Sequence, residues 1–285
     1  MSNNCNSKNK IRNGGKYVRI VLICCLMVSV LISLYPFIYM AFISLMETTT
    51  MKLSIDRILT TDYTLGNYIS LFNNADYLRY IKNSAIISVY AVAMTCIVSA
   101  MAAYAFAKKQ FRGRSFLFVV YLSTMMIPTQ VTLIPCFLIL KQLNMLSTYS
   151  AMVLPTCGAF GTLLIHQFLK KLPNDLLEAA EIDGCGEVFK FVRIVLPLIK
   201  PVIISLAIFT FINVWGSLVL PLIVNTDAKM TPLTVAIASM KTAMTATNYG
   251  YMMAASVIAF LPPFVLYLFL QKKFIEGIAL SGIKM

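Results

Sequence analysis

Polar chemistry in this chain is confined to a few places. Five of the eleven acidic residues, Asp175, Glu178, Glu181, Asp183 and Glu187, fall within thirteen positions. Clustered carboxylates can hold a metal, exchange protons with a substrate, or meet donors on a partner surface. Catalysis or metal binding would need histidine, cysteine or a facing carboxylate at suitable spacing. The single histidine, His166, lies in an apolar stretch, where it reads as an interfacial packing residue. The seven cysteines are scattered, mostly in apolar blocks and without a CxxC pair, so they read as small buried apolar residues. No G-x-x-x-x-G-K-[ST] run occurs, so the chain does not hydrolyse ATP through a P-loop. No catalytic residue and no metal ligand is assigned.

The acidic stretch has a clear local grammar. Pro173 with Asn174 or Asp175 supplies a helix start and Gly184 a stop, which predicts a short helix over Asp175 to Asp183. Leu176, Leu177 and Ala180 share one face, with Glu178 and Glu181 beside it. A second short amphipathic helix is expected after Gly184-Cys185-Gly186, with Val188, Phe191, Val192 and Val195 on one side. A short, capped, acid-bearing helix is unusual as a mere connector and has the form of a docking peg.

The surrounding elements set where that peg sits. Only 12% of residues are charged and 59% are apolar, too little polar supply for a water-covered surface. The apolar residues come in six blocks: Val18 to Leu45, Ala85 to Ala107, Phe116 to Leu140, Met145 to Phe168, Pro197 to Val224 and Tyr251 to Leu270. Each is about as long as a helix needs to cross the hydrocarbon layer, and none alternates as a barrel strand would. The expected fold class is an all-α membrane protein of six transmembrane helices. The first block follows a basic segment but is too long for a signal peptide, and reads as a retained helix.

The net charge of +13 follows the membrane and gives no reason to invoke nucleic acid. With the N-terminus inside, 17 of the 24 Lys and Arg fall on cytoplasmic segments, so both termini are expected in the cytoplasm. The domain reading is a disordered tail over 1–16, a first helix over 17–46 and an extracytoplasmic loop over 47–80 with a short helix near Leu65 to Phe72. A five-helix core over 81–272 contains the loop 170–197, and a cytoplasmic tail covers 273–285. Pro36, Pro128, Pro135, Pro155, Pro221, Pro262 and Pro263 mark kinks inside the bundle. The spans carry almost no ionisable groups, which disfavours proton or sodium coupling. The alternatives of an energy-independent carrier or channel for a small neutral solute, and of a membrane scaffold, stay open on these residues.

Glu178-Ala179-Ala180, then Gly184, nine residues, and Ile194-x-Leu196-Pro197 resemble the signature loop of ABC importer permeases. Tyr35-Pro36, Asn67-Tyr68-Ile69-x-Leu71-Phe72, Ala102-Ala103-Tyr104-Ala105-Phe106-Ala107, Met126-x-Pro128 and Phe274-Ile275-Glu276-Gly277 extend the likeness to the carbohydrate-uptake subfamily, typified by the maltose-type second permease. The resemblance implies a type-1 importer permease fold in the bacterial cytoplasmic membrane. It assigns ATPase coupling to Glu178, Ala179, Ala180, Asp183, Gly184, Ile194, Leu196 and Pro197. The implied partners are a second homologous permease, a cytoplasmic ATPase dimer that carries the ATP and Mg, an extracytoplasmic sugar-binding protein and the bilayer. No cofactor is expected on this chain. A sugar path needs stacking surfaces and hydrogen-bonding groups, and Asn213, the sole tryptophan Trp215, and Ser217 are its candidates. Where the family often has Asn after this Trp, Gly216 stands here.

Overall fold

The computed structural model describes residues 3–47, 62–243 and 248–282, with side chains over 19–47, 62–240 and 248–271. Every regular element among them is helical. Residues 48–61 of the expected outer loop, the side chains of Lys272, Lys273 and Phe274 to Gly277, and Lys284 lie outside the described parts. Two compact units divide the chain, 1–71 with 244–257, and 72–243 with 258–285.

In the first unit, helix α1 covers Asn3–Ser44 without a break at Pro36. The backbone is thus helical through the segment whose composition reads as disordered. Its apolar side chains face outward, with Leu26, Leu31 and Ile32 each about two-thirds exposed. Such a surface suits lipid or an apolar partner and would be costly in water. At its end, Asn67 at the start of α2 (Gly66–Asn73) donates from Nδ2 to the carbonyls of Ser44 and Met46, both at 3.0 Å. Those carbonyls have no intrahelical donor, so the buried amide closes the helix terminus. The Tyr68 hydroxyl shares a 2.7 Å hydrogen bond with Ser44 Oγ. Gly250 passes so close that a β-carbon there would come within 1.9 Å of the Met46 carbonyl oxygen. The helix expected near Leu65 to Phe72 is therefore present, and its Asn67-Tyr68 pair fastens the end of α1.

In the second unit, α3 (Ala75–Lys108) packs against α7 (Ala159–Lys170) and α10 (Lys200–Trp215). Asn74 caps α3 by accepting from the amides of Asp76 and Tyr77. The buried face of α3 is built from Ala91, Thr95, Ser99, Ala100 and Ala103, small residues that let neighbouring backbones approach. Gly161 of α7 sits opposite, where an added β-carbon would lie 2.4 Å from Ser99 Oγ and 2.9 Å from Leu206 Cδ2. Gly161→Val is expected to lower stability by about 1 to 3 kcal/mol through overpacking. Residual folded protein after heating in detergent measures it, and an unchanged melting midpoint would refute this close approach.

The remaining apolar blocks are broken rather than straight. Arg114–Met126, containing α4 (Arg114–Ser123), turns by 104° into α5 (Thr129–Gln142). Pro128 forces the preceding Ile127 out of the helical region, to ψ 118°. Tyr149–Thr156, containing α6 (Tyr149–Val153), meets α7 at 46° across Cys157-Gly158. At the fifth expected block, Pro197 to Val224, the helix Glu187–Leu198 turns by 75° into α10, and α11 (Val219–Val224) follows across Gly216 to Leu218. A further helix, α12 (Leu233–Ala243), lies between the fifth and sixth expected blocks. It is tied down by Asn83, which donates to the carbonyls of Lys229 and Thr231 at 2.9 and 3.0 Å while accepting from Tyr149. Ser84 Oγ also accepts from the Leu233 amide at 2.8 Å. The last helix, α13, covers Tyr249–Gly282 through Pro262 and Pro263. Among the described residues, three helices are long and apolar enough to cross a membrane, and up to six crossings result if each bent pair counts as one.

Candidate docking helix and cavity

The acidic stretch folds as α8 (Asp175–Ile182), followed by α9 (Glu187–Leu198). The α8 C-terminus is closed by the Gly184 amide to the Glu181 carbonyl at 3.0 Å and the Cys185 amide to the Ala180 carbonyl at 2.9 Å. This is a Schellman closure, and it places Gly184 at φ +76°, a left-handed conformation that favours glycine. The stop expected from sequence is therefore physical. The expected cap at the other end is not, since Asn174 makes no side-chain bond to the helix. Its Oδ1 instead accepts from Lys108 Nζ at 2.8 Å, and the same ammonium donates to the Leu172 carbonyl at 2.6 Å.

The eight coupling candidates divide by exposure. Glu178, Ala179, Asp183, Gly184 and Pro197 are exposed, Ala180 is buried, and Ile194 and Leu196 are half-buried. Leu177 and Leu196 pack on one apolar cluster with Ile165, Val195 and Ile199, which fixes α8 and α9 to the helices behind them. Ile182 is 87% exposed beside the Gly184 turn. The element thus offers an apolar tip, small residues and carboxylates outward.

The expected apolar face of α9 is split. A π turn at Lys190–Val195 shifts the register, so Val195 and Phe191 turn inward while Val188 and Val192 stay exposed. The same shift buries Lys190, whose side chain is 3% exposed and bridges Glu181 at 3.0 Å and Glu187 at 2.7 Å. Glu187 also pairs with Lys109 and accepts from the Tyr104 hydroxyl at 3.1 Å. Hydrogen bonds from Lys109 and Lys190 pull its carboxyl from an ordinary 4.5 down to about 2. Hydrogen bonds to Glu187 and Glu181 raise the Lys190 ammonium. A lowered carboxyl stabilises the fold above its unfolded-state value and loses that contribution as pH falls through about 2, so the linkage is fully formed at neutral pH.

The other site is a cavity of about 180 Å³ among α3, α7 and α10 and their connections. Thr95, Thr156, Phe160, Phe209, Asn213 and Ser217 line it with hydroxyls, an amide and aromatic rings. The Phe160 and Phe209 rings lie 4.7 Å apart. Asn213 donates to the Phe209 carbonyl at 2.7 Å, which orients its amide. Two of the three path candidates therefore meet here. Trp215 does not line the cavity. It is 6% exposed, stacks on Phe211 at 5.5 Å and donates its indole N–H to the Ala259 carbonyl at 2.9 Å. The aromatic surface comes instead from Phe160 and Phe209, which nothing in their local sequence distinguished. His166 is buried against Phe118, with ring centroids 4.2 Å apart, consistent with packing.

A cavity with no charged residue in its lining, set between apolar helices, together with an exposed acidic helix, fits a helical membrane protein of the transport class. Residues 96–279 match the family described as binding-protein-dependent transport system inner membrane component, and the chain belongs to that family. It is 34% identical over 223 residues to an arabinooligosaccharides transport system permease protein of Halalkalibacterium halodurans, covering 78% of this chain and 80% of the relative. It is 32% identical to an sn-glycerol-3-phosphate transport system permease protein of Yersinia enterocolitica, over 89% and 93% of the two chains. In fold it is similar to a bacterial ABC transporter involved in the import of the acidic polysaccharide alginate. That match has a TM-score of 0.82 at 21% identity and covers 92% of this chain and 98% of the other.

Proposed function

We propose that this chain is one permease subunit of an ATP-driven importer that moves a carbohydrate across the bacterial cytoplasmic membrane by alternating access. Each bent helix pair counts as one crossing, the one containing α10 beginning at Pro197, which gives six crossings with both termini cytoplasmic. The observation that carries the reading is the outward-facing α8 and its left-handed Gly184 turn, in a chain of this family. Glu178, Ala179, Asp183 and Gly184 dock on a separate ATPase dimer that binds ATP and Mg, while Ile194, Leu196 and Pro197 seat the element on the bundle. This chain then performs no catalysis and binds no cofactor. A second permease completes the path, and an extracytoplasmic binding protein delivers the substrate.

The cavity favours a neutral sugar. Its lining has no cation to neutralise a phosphate, but it has ring faces for stacking and hydroxyl and amide groups for hydrogen bonding. The test is uptake into proteoliposomes containing the four-component assembly, using labelled arabino-oligosaccharides with sn-glycerol 3-phosphate as competitor. ATP-dependent sugar uptake is expected, and Asn213→Ala is expected to lower it about tenfold, as loss of one substrate hydrogen bond would. Uptake that needs no ATP would point to a carrier, and uptake of the phosphate alone would overturn the neutral-sugar reading.

A further inference from the structure

The two lysines at the end of α3 hold both ends of the docking helix. Lys108 binds the Leu172 carbonyl and Asn174 Oδ1 just before α8. Lys109 pairs with Glu187, Glu187 with Lys190, and Lys190 with Glu181 in the last turns of α8. The Tyr104 hydroxyl, one turn back on α3, joins the chain at Glu187. Surface ion pairs contribute little when both side chains are mobile and hydrated. Here the central cation is 3% exposed, and the π turn within α9 is what turns it inward. A regular helix with the expected face would have pointed Val188 and Val192 there. Such turns interrupt the hydrogen-bond ladder and recur at functional positions.

We propose that Lys190 is a positioning residue that carries displacement of the docking helix to α3, and so to the cavity. Thr95, on the cavity wall, lies about 20 Å along the same helix from Lys108, at 1.5 Å per residue. A helix packed by small residues along its length transmits an end displacement as a rigid rod. The proposal rests on the docking reading of α8, and its test separates the two.

The assay uses the assembled complex in a variant whose native cysteines are replaced and Ser217→Cys is introduced. The rate at which a charged methanethiosulfonate labels that thiol is compared with and without vanadate trapping of the ATPase. Trapping is expected to change the rate in the parent and much less in Lys190→Met, by about fivefold, within the range for residues that relay coupling. Vanadate trapping and recovery of all subunits should persist, because Glu181 and Glu187 are 73% and 55% exposed and stay hydrated without their cation. Lys190→Arg, which still reaches both carboxylates, should restore the response.

A full labelling change in Lys190→Met, with the response lost in Gly184→Asp, would overturn the relay and leave the docking reading standing. A full change in both would overturn the docking reading as well. Loss of subunits from Lys190→Met that Lys190→Arg repairs without restoring the labelling change would make Lys190 a folding residue and reject the proposal.

Discussion

Gly184→Asp is expected to abolish transport while the chain remains in the membrane in normal amounts. At φ +76° an L-residue costs roughly 1 to 2 kcal/mol, too little to unfold a bundle of this size. Nothing lies within 4 Å of a β-carbon built there, so no internal clash adds to that cost. The damage falls on the exposed surface. A side chain and a further negative charge would stand beside Glu181 and Asp183, where the docking reading brings α8 close to a partner.

Gly184→Asn separates the two causes, because Asn tolerates the left-handed conformation. If backbone strain were the whole effect, Asn would transport nearly as well as Gly. If the docking surface cannot accept a side chain, both variants lose uptake and fail to retain the ATPase on purification. Normal uptake by Gly184→Asp would remove α8 from the coupling path.

Trp215→Ala is expected to be the most destabilising of these changes. Removing a buried aromatic of this size costs about 3 to 5 kcal/mol through lost contacts and the cavity left behind. The indole also links α10 to the Ala259 carbonyl in α13, a bond that Phe cannot make. Trp215→Phe is therefore expected to keep the stacking on Phe211 and lose about 1 kcal/mol. Abundance and melting midpoint should fall steeply for Ala and slightly for Phe, with sugar selectivity unchanged in the Phe variant. A selectivity change in Trp215→Phe at normal stability would return this residue to the substrate path.

The contrast between Trp215 and Asn213 shows what a linear pattern leaves open. Both stand in one apolar block two positions apart, which on a helix puts them on different faces. Composition singles out both, but only packing decides which looks into the cavity. Phe160 and Phe209 were illegible for the complementary reason. Each is one phenylalanine among eighteen, and they become a pair only when α7 and α10 meet. The buried Lys190 belongs with them, since its place depends on a register shift that regular helical periodicity does not anticipate.

Other features needed no tertiary information. Long apolar blocks forced helices, because a backbone in hydrocarbon must satisfy its own polar groups. Gly184 closed α8 because its left-handed turn is local, and Pro128 marked a break because it restricts the preceding residue, whereas Pro36, Pro135, Pro262 and Pro263 stand inside unbroken helices. Local pattern was thus enough for the helical membrane class, the α8 segment and its stop, and the family likeness carried by Glu178 to Pro197. Packing set the bends in three of the blocks, the α12 segment held by Asn83 and Ser84, the cavity lining and the lysine linkage between α8 and α3. Those depend on contacts between residues far apart in the chain, whose geometry local propensity does not contain.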